Sequence, residues 1–290
     1  MAGAPPLAIW RRNWPDYALE GLLLGCFLVT ACLVVALLQH PGSPVRNALP
    51  DGTVRRAVIG AAMGLTALLI LTSRIGKRTG AHINPAVTLV FLWQGKTTPA
   101  DAAGYIAGQT AGAVLGVSAT ALALGGVVRH PSVNYVVTVP GADGPLVAWL
   151  VEFALSAGMI LTVLSVSSAP RLARFTAHFA ALLVFLYISL AAPYSGMSIN
   201  PARTLGSAIP ANVFTALWVY LTAPVAGFFA GAALHRVLAR CAHERACCMG
   251  GKCVSCRCVF TCHKKAFGPE SAPRTGGANP RPMDSREALS

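Results

Sequence analysis

Apolar residues run through this chain in long, nearly uncharged blocks, without the polar face that a helix on a soluble protein carries. A bilayer core of about 30 Å takes roughly 20 helical residues. Six blocks approach or exceed that length: residues 17–38, 57–73, 102–128, 146–166, 175–192 and 214–236. The third is longer than a crossing requires, so its helix is expected to stop short of 128. Two further apolar stretches, 85–93 and 201–209, are too short to cross, and each follows an Asn. A signal peptide competes for the first block, because Arg11 and Arg12 precede it and Val29-Thr30-Ala31-Cys32 imitates a lipoprotein cleavage site. The apolar run continues through Leu38, well beyond the roughly 7–15 residues of a signal core, and so reads as a span. Cys26 and Cys32 then become small core residues.

Composition agrees with the pattern. Of 290 residues, 54% are hydrophobic and 11% charged, which excludes a soluble, coiled-coil, collagenous or mostly disordered chain. The formal charge of +13 has to be sorted by membrane side before it says anything about partners. With the N-terminus in the cytoplasm, 18 of the 23 Lys and Arg fall on that side and only Arg46, Arg55, Arg56 and Arg129 on the other, with Arg203 inside an apolar segment. Both termini are therefore expected in the cytoplasm, and the basic charge reads as membrane topology, with no nucleic-acid partner. Trp10, Trp14 and Tyr17 suit an interfacial belt.

The chain also repeats itself. Leu19-Glu20-Gly21 in the first span matches Val151-Glu152-Phe153 in the fourth, and His82-Ile83-Asn84-Pro85-Ala86 matches Ser198-Ile199-Asn200-Pro201-Ala202. Each half holds three spans, an odd number, so the second copy enters upside down. Asn is a good N-cap and Pro belongs at the first helical position, so each Asn-Pro starts a helix too short to leave the membrane. Non-helical backbone at that depth needs a cavity or a protein lining. With each Asn oxygen capping its own helix, the amide NH2 is expected to donate into that cavity. The predicted fold is an all-α membrane protein with six transmembrane helices and two re-entrant half-helices in an inverted repeat. Its organisation reads as an N-terminal segment 1–16, a membrane domain 17–240 with repeats 17–128 and 146–240, a Cys/His-rich segment 241–265, and a polar, disordered tail 266–290.

At these residues the chain resembles the major intrinsic proteins, the aquaporin and glycerol-facilitator family. The resemblance covers roughly residues 15–240. Its carriers are Gly80-Ala81-His82-Ile83-Asn84-Pro85-Ala86-Val87-Thr88, Asn200-Pro201-Ala202-Arg203, Glu20, Glu152 and Gln109-Thr110-Ala111-Gly112-Ala113. It implies an aquaporin-like right-handed bundle, one pore per subunit, a homotetramer, and no covalent chemistry. It further implies that Arg203 belongs to a selectivity filter and that Glu20 and Glu152 brace the Asn loops, with His82 packing the first of them. His178 reads as a core histidine. Carrying the other filter positions over gives Met197, three residues before Asn200, Ile188, twelve before it, and Met63, at the cost of one inserted residue before Asn84. The implied filter is Met63, Ile188, Met197 and Arg203. It lacks both the His of strict water channels and the Trp and Phe wedge of glycerol facilitators, and its two Met side chains can re-pack around different solutes. Thr204 and Ala208 resemble the water-selective branch, whereas Tyr220-Leu221 is mixed. Water is the first expectation, and glycerol, ammonia and hydrogen peroxide stay open.

Seven of nine Cys lie between Cys241 and Cys262. On a reducing side of the membrane, metal binding is the favoured reading. Cys253 and Cys256 have a zinc-like spacing, and Cys258, Cys262 and His263 or His243 would complete one or two tetrahedral sites; the pore itself needs no cofactor. The competing reading is a basic tail on anionic lipid, through Lys252, Arg257, Lys264 and Lys265. Two rival functions follow: a secondary active transporter using Glu20 and Glu152, and a channel regulated by metal or redox state through the tail.

Overall fold

The computed structural model describes residues 5–247, with side chains through 239. Among the described residues there is no strand, and eleven α-helices follow in order, with short 3-10 turns at Asn134–Val136 and Ala173–Phe175: α1 Pro6–Gln39, α2 Pro44–Ala48, α3 Gly52–Thr72, α4 Arg74–Thr79, α5 Pro85–Trp93, α6 Pro99–Leu124, α7 Gly126–Arg129, α8 Gly144–Ser168, α9 Thr176–Ser195, α10 Pro201–Ala211 and α11 Leu217–Cys247. Six of them, α1, α3, α6, α8, α9 and α11, are long and apolar enough to cross a membrane. Helices α5 and α10, of 9 and 11 residues, are the expected half-helices.

Local chemistry sets most of the boundaries. Asp51 caps α3 by accepting from Thr53 N at 2.6 Å and Val54 N at 3.1 Å. Thr98 caps α6 by accepting from Asp101 N at 3.1 Å, while its hydroxyl donates back to Asp101 Oδ2 at 2.7 Å. Helix α6 ends at Leu124, where Gly125 takes φ 53°, as the excess length of that block led us to expect. One boundary moves further. Helix α1 begins at Pro6, inside the segment read as an N-terminal extension, and its 34 residues reach about 51 Å. Tertiary contacts hold that extra length: Trp10 Nε1 donates to Ala100 O at 2.8 Å and Tyr17 Oη to Asp101 Oδ1 at 2.7 Å. Tyr17 is consequently buried between α1 and α6 and is not part of an interfacial belt, whereas Trp14 stays exposed. Cys32 is buried as expected, but Cys26 faces outward.

The two halves pack by the same plan. Helix α1 lies along α6, α8 lies along α11, and α3 meets α9 across the junction of the repeats. In a membrane, apolar side chains gain little by meeting each other instead of lipid, so helices associate where backbones approach closely. Gly21 and Gly25 on α1 face Gly108, Gly112 and Gly116 on α6, and an added Cβ on Gly25 would lie 2.8 Å from the Gly112 carbonyl oxygen. On α11, Gly227 and Gly231 face the Phe153 and Ala157 carbonyls of α8. These glycine rows bring each outer helix close enough for Glu20 and Glu152 to reach the loops.

Gly112→Val, with its Cβ against the Gly21 backbone, should cost about 1–3 kcal/mol or more by overpacking. Gly126→Ala, where an added Cβ meets nothing within 4 Å, should be neutral. Thermal unfolding of the two purified variants in detergent tests the contrast; equal midpoints would show that the glycine row does not set the α1–α6 distance.

Candidate pore

Each half-helix is reached through a loop whose backbone is left-handed at three positions. Gly80, Ala81 and Ile83 have φ of 89°, 44° and 40°, and Gly196, Met197 and Ile199 have 72°, 49° and 48°. A left-handed non-Gly residue costs roughly 1–2 kcal/mol, so something must hold these loops. A carboxylate does so in each half. Glu20, fully buried on α1, accepts from Thr79 Oγ1 at 2.7 Å, His82 N at 3.0 Å, Ile83 N at 2.6 Å and Gln109 Nε2 at 2.9 Å. Glu152, equally buried on α8, accepts from Ser195 Oγ at 2.8 Å, Ser198 N at 2.8 Å and Ile199 N at 2.5 Å. The bracing geometry read for the two Glu is therefore present, and with every carboxylate oxygen engaged neither resembles an exchanging proton carrier. Charge-assisted bonds of this kind are roughly twice as strong as neutral ones.

The two Asn residues then close the centre. Asn84 Oδ1 accepts from Ala86 N at 2.9 Å, and Asn200 Oδ1 from Ala202 N at 3.1 Å and Arg203 N at 3.2 Å. Asn84 Nδ2 donates across the repeat junction to Ile199 O at 2.8 Å, and Asn200 Nδ2 donates back to Ile83 O at 2.7 Å. This corrects the expectation of a wholly free amide: one N–H of each clasps the opposite loop, and one is left for the cavity. The clasp joins the two half-helix N-termini, whose dipoles both point positive ends at the midplane.

A single cavity of about 700 Å³ runs past this clasp, with Gln39 and Arg56 lining one end and Lys77 and Arg174 the other. Asn84, Asn200, Met63, Ile188, Met197 and Arg203 all line it. Met63 lies on the inner face of α3, 2% exposed. Ile188 packs into both central apolar clusters, one with Met63 and one with Met197. Arg203 is bordered by this apolar wall, and its buried Nη1 has no hydrogen-bond acceptor among the described residues. His82 packs the first loop as expected, stacked on Phe91 at 4.8 Å with Nδ1 3.2 Å from Thr88 Oγ1. His178 is not a core residue: it is exposed, edge-on to Phe175 at 5.7 Å. The zinc ligands proposed from spacing lie outside the residues described with side chains, among which no group of three or more His, Cys, Asp or Glu is placed to hold a metal.

Several residues that hold the site were not read as loop anchors from sequence, Tyr220 among them, which was weighed only as a marker of solute preference. Tyr105 Oη donates to Thr79 O at 2.7 Å, and Tyr220 Oη donates to Ser195 O at 2.7 Å. Thr79 and Ser195 each stand five residues before their Asn, so the repeat alignment contained this signal once extended by one turn.

The sequence model described as "Major intrinsic protein" matches residues 18–235. This chain belongs to that family. It is 32% identical over 239 residues to aquaporin NIP6-1 of Arabidopsis thaliana, covering 81% of this chain and 70% of that protein. It is 33% identical over 215 residues to aquaporin NIP1-4 of Oryza sativa subsp. japonica, covering 73% and 74%. The X-ray structure of the aquaglyceroporin from Plasmodium falciparum superposes with a TM-score of 0.64 and 19% identity over 81% of this chain and 99% of that one, which speaks to the fold. Membership makes the chain an integral, multi-pass membrane channel for water and small solutes, and the family's members are channels, not enzymes.

Glu152→Gln would turn an amide NH2 toward groups that themselves donate. Each donor left unsatisfied costs about 1–3 kcal/mol. The variant should insert poorly or lose thermal stability, and lose water flux with it. Wild-type stability and flux would mean that the carboxylate does not hold the second loop.

Proposed function

We propose that this chain is a passive channel that conducts water and admits other small uncharged solutes, with glycerol, ammonia and hydrogen peroxide as candidates, and excludes protons and ions. The observation that carries this reading is the single cavity bordered by both clasped Asn residues and by Met63, Ile188, Met197 and Arg203. Two half-helix dipoles of about +0.5 each face its centre, and at roughly 5 Å and an effective dielectric near 20 they oppose a cation by about 3 kcal/mol before any dehydration. Arg203 adds a full positive charge, whereas a neutral solute escapes both. Because the wall opposite Arg203 is apolar, a solute satisfies its polar atoms on the Arg203 side and rests its carbon skeleton on Met and Ile.

A secondary active transporter is less well supported, since Glu20 and Glu152 are committed to the loops. We further propose that both termini are cytoplasmic, that the chain assembles as a homotetramer embedded in membrane lipid, and that the tail from Cys241 onward holds zinc. Metal analysis of the full-length protein against a chain truncated after Arg240 tests the last point: no excess metal in the full-length chain sinks it.

Three substitutions test the pore. Asn200→Leu removes the cap and half of the clasp; losing a cap costs about 0.5–2 kcal/mol, so inserted protein should be obtainable, and its water permeability in proteoliposomes should collapse. Ile188→His should narrow the opening and favour water over glycerol, and Arg203→Val should raise urea permeability. Stopped-flow light scattering reads all three solutes. Ratios unchanged in both filter variants would remove these residues from the constriction.

A further inference from the structure

The two Asn loops match nearly bond for bond, and they differ in what holds the threonine one turn into each half-helix. In the first repeat Thr88 Oγ1 lies 3.2 Å from His82 Nδ1 and accepts from Gln109 Nε2 at 3.3 Å. Gln109 stands one turn past Tyr105 on α6, so a membrane helix ties that loop down. The same place on α11, one turn past Tyr220, holds Pro224, whose side chain has no donor or acceptor. In the second repeat Thr204 Oγ1 lies 2.6 Å from Ser198 Oγ, and the partner that stands in for Gln109 is Thr138, with Oγ1 to Oγ1 at 3.1 Å. Thr138 is 2% exposed and comes from the connection between α7 and α8, at the face opposite the termini.

That connection is fitted to the filter over several residues. Gly141 N donates to Tyr194 O at 2.9 Å, and a Cβ on Gly196 would lie 3.0 Å from Val139 O and 3.3 Å from Thr138 Cα. Just upstream, Asn134, Tyr135 and Val136 form a left-handed run with φ of 41°, 52° and 52°, and it brings Val136 and Val137 to the cavity wall. From Thr138 the hydroxyl chain passes through Thr204 and Ser198, whose Oγ donates to Asn200 O at 3.0 Å. Thr204 is the residue after Arg203, and Ser198 the residue after Met197.

We infer that Thr138 is a positioning residue of the filter: it replaces the membrane-helix anchor that Pro224 cannot supply, and through Thr204 and Ser198 it holds Arg203 and Met197 at their places in the cavity wall. The segment 134–141, which does not itself cross the membrane and whose Val136 packs into the apolar cluster that holds Met63, thereby sets how far the filter can open. This rests on the channel reading given above. It predicts that the second loop loosens when a single hydroxyl on the connection is removed, and that the loosening admits larger solutes more than it affects water.

The test is Thr138→Val, which keeps the volume and removes the hydroxyl, in full-length protein reconstituted in proteoliposomes, with water, glycerol and urea permeabilities read by stopped-flow light scattering. The glycerol-to-water and urea-to-water ratios should rise by about threefold to tenfold, the factor that one ordinary hydrogen bond supplies. Thr138→Ser, which restores the hydroxyl, should return the wild-type ratios, and a Thr138→Val, Thr204→Val double variant should go no further than Thr204→Val alone, which already breaks the link to Thr138. Should Thr138→Val fail to insert, Thr138→Ala and Thr204→Val alone probe the same link. Ratios that stay at the wild-type value, that fall, or that shift as far in Thr138→Ser overturn the inference, as does a parallel loss of all fluxes, which marks a residue needed only for folding. Wild-type vesicles that conduct no water would instead overturn the channel reading, so the two failures are distinguishable.

Discussion

Backbone that leaves a helix inside a membrane must find its hydrogen bonds within the protein, because lipid offers none. Here two such stretches meet at the centre, and the rest of the architecture serves to satisfy them. Glu20 and Glu152 accept the amides that the left-handed residues turn outward. Asn84 and Asn200 cap the half-helices and take the carbonyls of the opposite loop. A buried carboxylate is costly on its own account. It is tolerated because it replaces several unsatisfied donors at once.

Placing those carboxylates requires outer helices unusually near the loops, which connects the glycine rows to the pore. Gly21 sits next to Glu20 on α1 and faces Gly108 on α6, and Gln109, the following residue, donates to Glu20. Close backbone approach and loop bracing are thus one arrangement. The other half reaches the same end through Gly227 on α11 against Phe153, the neighbour of Glu152. The braced loops then leave much of the cavity wall to apolar side chains, Met63, Ile188 and Met197 among them.

The inverted repeat explains why both sides of the clasp look alike, but two copies of one plan need not use the same anchors. Gln109 and Thr138 do equivalent work from different parts of the chain, one from within a spanning helix and one from a connection outside the spans. The two loops therefore differ in what can disturb them. The half-helix that carries Arg203 is bonded to a connection between helices, and the half-helix that starts at Asn84 to a spanning helix.

Spans, half-helices, inverted symmetry and the Asn, Glu and Arg positions were legible in the linear chain because each follows from a rule that acts locally or is repeated: hydrophobic length, Asn-Pro capping, charge where charge is expensive. Pro85 and Pro201 mark the half-helix starts with no tertiary information. The length of α1 was not legible, since it depends on Trp10 and Tyr17 finding partners about the start of α6. Nor were the outward turn of Cys26 and the exposure of His178, because a helix that is apolar all round carries no period to tell its protein face from its lipid face. The Asn amides bonding to opposite carbonyls, and Thr138 reaching Thr204, join residues 115, 117 and 66 positions apart. Pairings at such separation leave no spacing in the sequence; only packing the two halves against each other decides them.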